Sequence, residues 1–101
     1  MTFLNEKQIG LKLVTETKKW GGGIALKFVS PSFSGMPDRM VLLPDGKMAF
    51  VEVKAPGKKP RLLQMKRHEM LRGFGFQVFV LDEASDIPDL LKKITEGGEA
   101  Q

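Results

Sequence analysis

Cysteine is absent from this 101-residue chain, which excludes a disulfide framework and any thiolate metal site. Histidine occurs once, so a zinc centre of the usual nitrogen and sulfur ligands is excluded too. No stretch approaches the ~20 apolar residues of a membrane span, and Met1 to Gly10 lacks the apolar run of a secretory signal. A soluble, cytoplasmic protein is therefore expected. Internal repeats, linkers and low-complexity tracts are also missing, and the short length points to a single domain over residues 1–101. What remains is ordinary globular material: 42% hydrophobic and 28% charged residues, enough to fold around one core. The net charge is +4 and its distribution is uneven. Lys58, Lys59, Arg61, Lys66, Arg67 and Arg72 crowd one segment with Glu69 as its single acid. Such density suits a nucleic-acid phosphate surface, because each neutralised phosphate releases counterions. It also suits a plain solvated helix face.

Asn5 followed by Gln8 is a capping-box pattern, and it opens a helix with Ile9, Leu11, Leu13 and Val14 on its apolar stripe. That helix should stop near Trp20, before three glycines. Ile24 to Val29 alternates as a strand, and a loop rich in Ser, Pro and Gly then delivers the chain to Asp38. Arg39 to Leu43 and Met48 to Lys54 read as paired strands around Pro44, Asp45 and Gly46. A two-residue turn centred on Asp45 and Gly46 would put Asp38 and Glu52 on opposite faces of the sheet. A three-residue loop with Pro44 at its start and Gly46 in the left-handed position fits proline better, and it places Asp38 directly opposite Glu52. Lys54 shares their face. Pro60 precedes a helix from about Arg61 to Arg72, with Gly73 as terminator, and Phe76 to Leu81 reads as a buried strand parallel to Met48 to Lys54. A short helix covers Pro88 to Thr95, and Gly97 to Gln101 reads as a frayed tail. The fold class is mixed α/β: helix, three-stranded antiparallel meander, crossover helix, fourth parallel strand, C-terminal helix. Trp20 and Phe74 are expected in the core or at a subunit contact.

Two carboxylates facing each other across a ladder repel unless a cation compensates. Hard oxygen donors suit Mg²⁺ or Mn²⁺, which acidifies bound water and offsets charge on a phosphoryl group. Lys54 beside them would orient water and stabilise a negative transition state. Each residue also has an ordinary explanation. Asp38 fits a turn at the start of a strand, and Glu52 and Lys54 fit alternate solvent-facing positions. Their combination favours a site, since the strand face holding Met48 and Phe50 turns from apolar to charged at Glu52.

Gly35-Met36-Pro37-Asp38, thirteen residues, then Glu52-Val53-Lys54 resembles the PD-(D/E)xK nuclease signature, and more closely the virus-type replication-repair nuclease (VRR-NUC) domain. Glu6 with Gln8, and Gln64 after Pro60, resemble further positions of that family. The resemblance implies a restriction-endonuclease-like core in which Asp38, Glu52, the Val53 carbonyl and Glu6 act as metal ligands. It further implies Lys54 in catalysis and Gln64 orienting the site, with Mg²⁺ or Mn²⁺ as cofactor. Glu6 at a helix start and Gln64 on a helix surface are equally explained by helix preferences. His68 reads as an ordinary half-exposed residue without a catalytic role. Lys58, Lys59, Arg61, Lys66 and Arg67 are the expected DNA contacts. Proteins resembling this one, often phage-borne, cut branched DNA such as Holliday junctions, and a domain this small would need a homodimer to cut two strands. An archaeal-type junction resolvase, a restriction-like endonuclease, a catalytically silent nucleic-acid-binding module and a metal-free structural protein are the alternatives.

Overall fold

A computed structural model of the protein describes residues 4–97, so the expected frayed tail lies outside the described residues beyond Gly97. The first helix, α1 (Glu6–Lys19), begins at the expected cap. Asn5 Oδ1 accepts from Gln8 N at 2.8 Å, and Gln8 Oε1 accepts from Asn5 N at 2.9 Å, which satisfies two donors left open at a helix start. Its buried stripe is Ile9, Gly10, Leu13 and Thr17. Leu11 is not part of it and is 55% exposed. Two residues from both Ile9 and Leu13, it lies roughly 200° round the helix from either.

Four strands follow: β1 (Ile24–Lys27), β2 (Arg39–Leu42), β3 (Met48–Val53) and β4 (Gln77–Leu81). They lie in the order β1-β2-β3-β4, antiparallel for the first two pairings and parallel between β3 and β4. Helix α2 (Leu62–Gly73) makes the crossover and α3 (Ile87–Glu96) is the last element among the described residues, which is the expected architecture. β1 is shorter than its alternation suggests: Val29 is exposed, and the chain leaves the ladder after Phe28 N donates to Asp38 O at 2.9 Å. Between β2 and β3 the three-residue register holds, with Leu42 opposite Met48 and Leu43 N donating to Lys47 O at 2.8 Å. The loop's dihedrals differ from the expectation, since Asp45 (φ 65°) joins Gly46 (φ 72°) in the left-handed region. Aspartate is among the few side chains that tolerate it.

Alternation then divides the core into two. Ala25, Val41, Ala49, Val51 and Val53 point to α1 and α3, meeting Ile9, Leu13, Leu91 and Ile94. Met40, Phe50 and Val78 point to α2, meeting Leu71 and Met70, with the Phe28 and Phe50 rings edge to face at 5.6 Å. Trp20 is half-buried against the first of these cores. Helix α2 includes Gly73, and the terminating glycine is Gly75 (φ 98°). Phe76 N reaches Leu71 O at 3.0 Å and Gly75 N reaches Arg72 O at 2.9 Å, the paired bonds of a Schellman end. Phe74 is exposed rather than in the core. β4 is likewise not a buried strand: it is the sheet's outer edge, with Val80 and the flanking Phe76 exposed.

Candidate active site

One step beyond the Arg39–Val51 pair, the β2–β3 register sets Asp38 opposite Glu52 at the end of the sheet. Alternation points both toward the α2 layer, where Phe50 has already marked the same face. Asp38 Oδ1 accepts a hydrogen bond from Val53 N at 2.9 Å, which ties the start of β2 to the end of β3. Glu52 is only 3% exposed and has both oxygens engaged by α2. Gln64 Nε2 donates to Oε2 at 3.3 Å, and His68 Nε2 lies 3.3 Å from Oε1. Gln64 is itself fixed, because its Oε1 accepts from Arg61 N at 2.8 Å at the helix start. The structure therefore brings Gln64 to the carboxylate pair.

His68 is the residue that the sequence reading misplaces: it is 2% exposed, not half-exposed. Helix α2 docks through Leu71 on the same side, so the position one turn after Gln64 must face the sheet end as well. The Gln64–His68 spacing of four was the available signal, visible once Glu52 is known to face that helix.

Burial pushes the Glu52 carboxyl up to about 7, helped by the Asp38 charge and opposed by Lys54. Asp38 is raised as well, again chiefly by burial, with the Val53 N–H working against the shift. Burial lowers His68, as do the charges of Arg72 and Lys54, which favours a neutral ring, and one proton is shared between its Nε2 and Glu52 Oε1. Among the described residues neither carboxylate forms an ion pair with a lysine or arginine. The charges of Lys54 at Glu52 and Arg39 at Asp38 offset the burial of these opposed acids only in part, and a divalent ion in direct contact would relieve the rest.

The donor set fits such an ion in one particular way. Among the described residues there is no group of three or more His, Asp or Glu side chains placed to hold a metal together. Two carboxylates remain, with the Val53 backbone beside them, and this leaves several positions to water, as Mg²⁺ and Mn²⁺ prefer. Glu6 lines the same cleft as Asp38 and Val53, and its charge raises both carboxylates, but it does not complete a three-side-chain cluster. Lys54 continues the β3–β4 ladder through its backbone N, 2.9 Å from Leu81 O, and its charge is felt at Glu52.

The expected DNA contacts divide. Lys58, Lys59, Arg61 and Lys66 are exposed around the start of α2, and the first two line a groove of about 660 Å³ with His68 and Arg72. Arg67 also makes contacts within the fold, since its Nε donates to Ser34 O at 2.8 Å and its guanidinium lies 3.9 Å from the Phe33 ring centroid. This clasp presses the Gly35 segment onto α2. A methyl on Gly35 would sit 2.8 Å from Leu63 Cγ and 3.1 Å from Arg67 Cγ, at a φ of +87°.

A mixed sheet that sets two opposed carboxylates and a following lysine at one end is the PD-(D/E)xK nuclease arrangement. The chain matches the VRR-NUC domain over residues 7–85, and it belongs to that family. It is 48% identical over 94 residues to "Putative nuclease p44" of Acyrthosiphon pisum secondary endosymbiont phage 1, covering 93% of this chain and 99% of that protein. A solved VRR-NUC domain is similar in fold, with a TM-score of 0.79 and 31% identity over 86% of this chain and 94% of the other. Family and relative together support nuclease function with DNA as substrate. No helix among the described residues is long and apolar enough to cross a membrane.

Proposed function

We propose that the protein is a Mg²⁺- or Mn²⁺-dependent endonuclease hydrolysing DNA phosphodiester bonds, selective for branched DNA such as Holliday junctions. The observation that carries this reading is the juxtaposition of Asp38 and Glu52 across the β2–β3 ladder, unpaired with any lysine or arginine among the described residues. Asp38, Glu52 and the Val53 carbonyl would hold the ion, with Glu6 lining the same cleft as a further candidate ligand. When bound, a divalent cation offsets charge on the phosphoryl group and makes water more acidic. Lys54, whose charge is felt at Glu52, would supply the ammonium that orients the attacking water and balances charge on the phosphate oxygens. Gln64 and His68 hold Glu52 in place and do not themselves reach substrate. Lys58, Lys59, Arg61 and Lys66 face the DNA backbone, and Arg67 keeps the Asp38 loop docked on α2.

Among the described residues there is one such site, so cutting two strands of a junction calls for two copies, and the exposed edge of β4 with Val80 and Phe76 is a surface suited to a homodimer. A DNA substrate puts the protein's work in the cytoplasm of its host cell. The test is incubation of labelled four-way junction and linear duplex with and without Mg²⁺, for wild type, Asp38→Asn and Lys54→Ala. The expected result is metal-dependent cleavage, stronger on the junction, and lost in both variants by at least about 10²-fold. Cleavage that persists in Asp38→Asn sinks the metal assignment. Binding without cleavage by wild type in Mg²⁺ or Mn²⁺ would establish a silent DNA-binding module instead. Light scattering at working concentration checks the dimer.

A further inference from the structure

Beyond the carboxylate pair, a second concentration of positive charge lies on the other face of the sheet. Lys27 and Arg39 are direct partners in the β1–β2 ladder, so their side chains project from the same face, the one covered by α1. Like charges directly opposite in an antiparallel pair are destabilising. Neither forms an ion pair with an acid among the described residues. Lys7, in the first turn of α1, joins them in a cleft of about 540 Å³ that also contains Asp38, Glu6 and Val53. The Arg39 charge is felt at Asp38, but Lys7 adds a third cation at the unfavourable end of the helix dipole. The room for Arg39 comes from Gly10: a methyl there would lie 3.1 Å from Arg39 Nη2. The guanidinium is thus held half-buried against the helix instead of extending freely into solvent.

We propose that Lys7, Lys27 and Arg39 form a subsite for a DNA phosphate neighbouring the one that is cut, on the α1 side of Asp38. The proposal rests on the nuclease reading and deepens it by giving the substrate strand a path. An anion between two cross-strand cations converts a repulsion into charge-assisted hydrogen bonds, and the guanidinium offers a fork matched to phosphate oxygens. Lys58 and Lys59 lie on the α2 side of the carboxylates and these three on the α1 side, so a strand crossing the sheet end is held on both sides of the scissile bond. Restraint on both sides fixes the reacting group in line, which is the main thing a site of this kind can contribute by positioning.

The test is the salt dependence of DNA affinity, measured in EDTA with the full chain, for wild type, Lys27→Gln/Arg39→Gln and a control Lys18→Gln/Lys19→Gln at the far end of α1. Losing one phosphate contact makes the slope of log affinity against log salt shallower by roughly 0.9. That shift is expected for Lys27→Gln/Arg39→Gln on junction and linear duplex alike, with the control unchanged and Arg39→Lys retaining the wild-type slope. Should the double variant fail to fold, Lys7→Gln/Lys27→Gln alters only exposed side chains, and the same shift is expected. Wild-type DNA binding with an unaltered slope in these variants overturns the subsite alone. Absence of DNA binding by wild type at any salt overturns the nuclease reading, and the subsite with it.

Discussion

At the scale of single residues, Glu52 governs how the metal-free protein responds to pH. An unfolded glutamate gives up its proton near 4.5, whereas folded Glu52 keeps it until about 7. Between those values the folded state holds more protons, so the stability contributed by Glu52 is present below 4.5 and is lost as pH rises through 7. His68 works the other way: its lowered value costs stability as pH falls below 6.5. The measurement is therefore a difference, wild type minus Glu52→Gln, followed by thermal melts in EDTA, and it should shrink steadily from pH 4.5 to 7. A flat difference would mean that Glu52 ionises normally. His68→Ala removes the hydrogen-bond partner of Glu52 Oε1 and leaves a buried gap, and should cost about 1–3 kcal/mol in denaturant melts. Mn²⁺ affinity by calorimetry should fall roughly 10–100-fold, because partners that orient a ligand are worth that much. An unchanged affinity would make the histidine a packing residue only.

At the scale of elements, the loop before β2 and helix α2 act as one unit. Gly35→Ala forces an alanine to φ +87° against Leu63 and Arg67. It should destabilise the fold by at least about 1 kcal/mol, and Arg67→Ala should loosen the same loop and weaken metal binding through Asp38. Chemical denaturation and Mn²⁺ titration of both variants check this. The parts of the fold that rest on local chemistry are legible in the amino-acid sequence. The Asn5–Gln8 cap and the Pro44–Gly46 loop are decided by neighbouring residues, and that loop sets the register that brings Asp38 to Glu52. What depends on which elements become neighbours is not legible. Leu11 looks apolar enough for the core until α1 is placed, and β4 looks buried until it proves to be the last strand. His68 belongs with these, since only the docking of α2 shows that it meets Glu52. Gly73 and Gly75 both suit a helix end, and the choice falls to the carbonyl partners offered by Leu71 and Arg72.

At the scale of the whole molecule, the sheet end joins three layers, with Glu52 from β3 bound to α2 and Asp38 introduced from a loop clasped to that helix. Metal binding should therefore stabilise the entire domain. At a concentration one hundred times its dissociation constant, a ligand of the native state contributes about 2.7 kcal/mol. In a domain of this size that raises the melting temperature by roughly 4–8 °C per kcal/mol. Mn²⁺ should produce this rise in wild type and leave Glu52→Gln nearly unmoved; equal rises in both would place the ion elsewhere.

The hydrogen bond from Val53 N to Asp38 has a consequence for refolding. It can form only when the second and third strands are aligned in a single frame, since displacement by one position would send the two acids to opposite layers. A chain that collapses with its hairpin out of step would still look compact by size and helical content, yet would have lost the ability to take up an ion. Recovered Mn²⁺ uptake after dilution from denaturant therefore counts correctly paired molecules, a stricter measure of success than any spectroscopic signal of secondary structure.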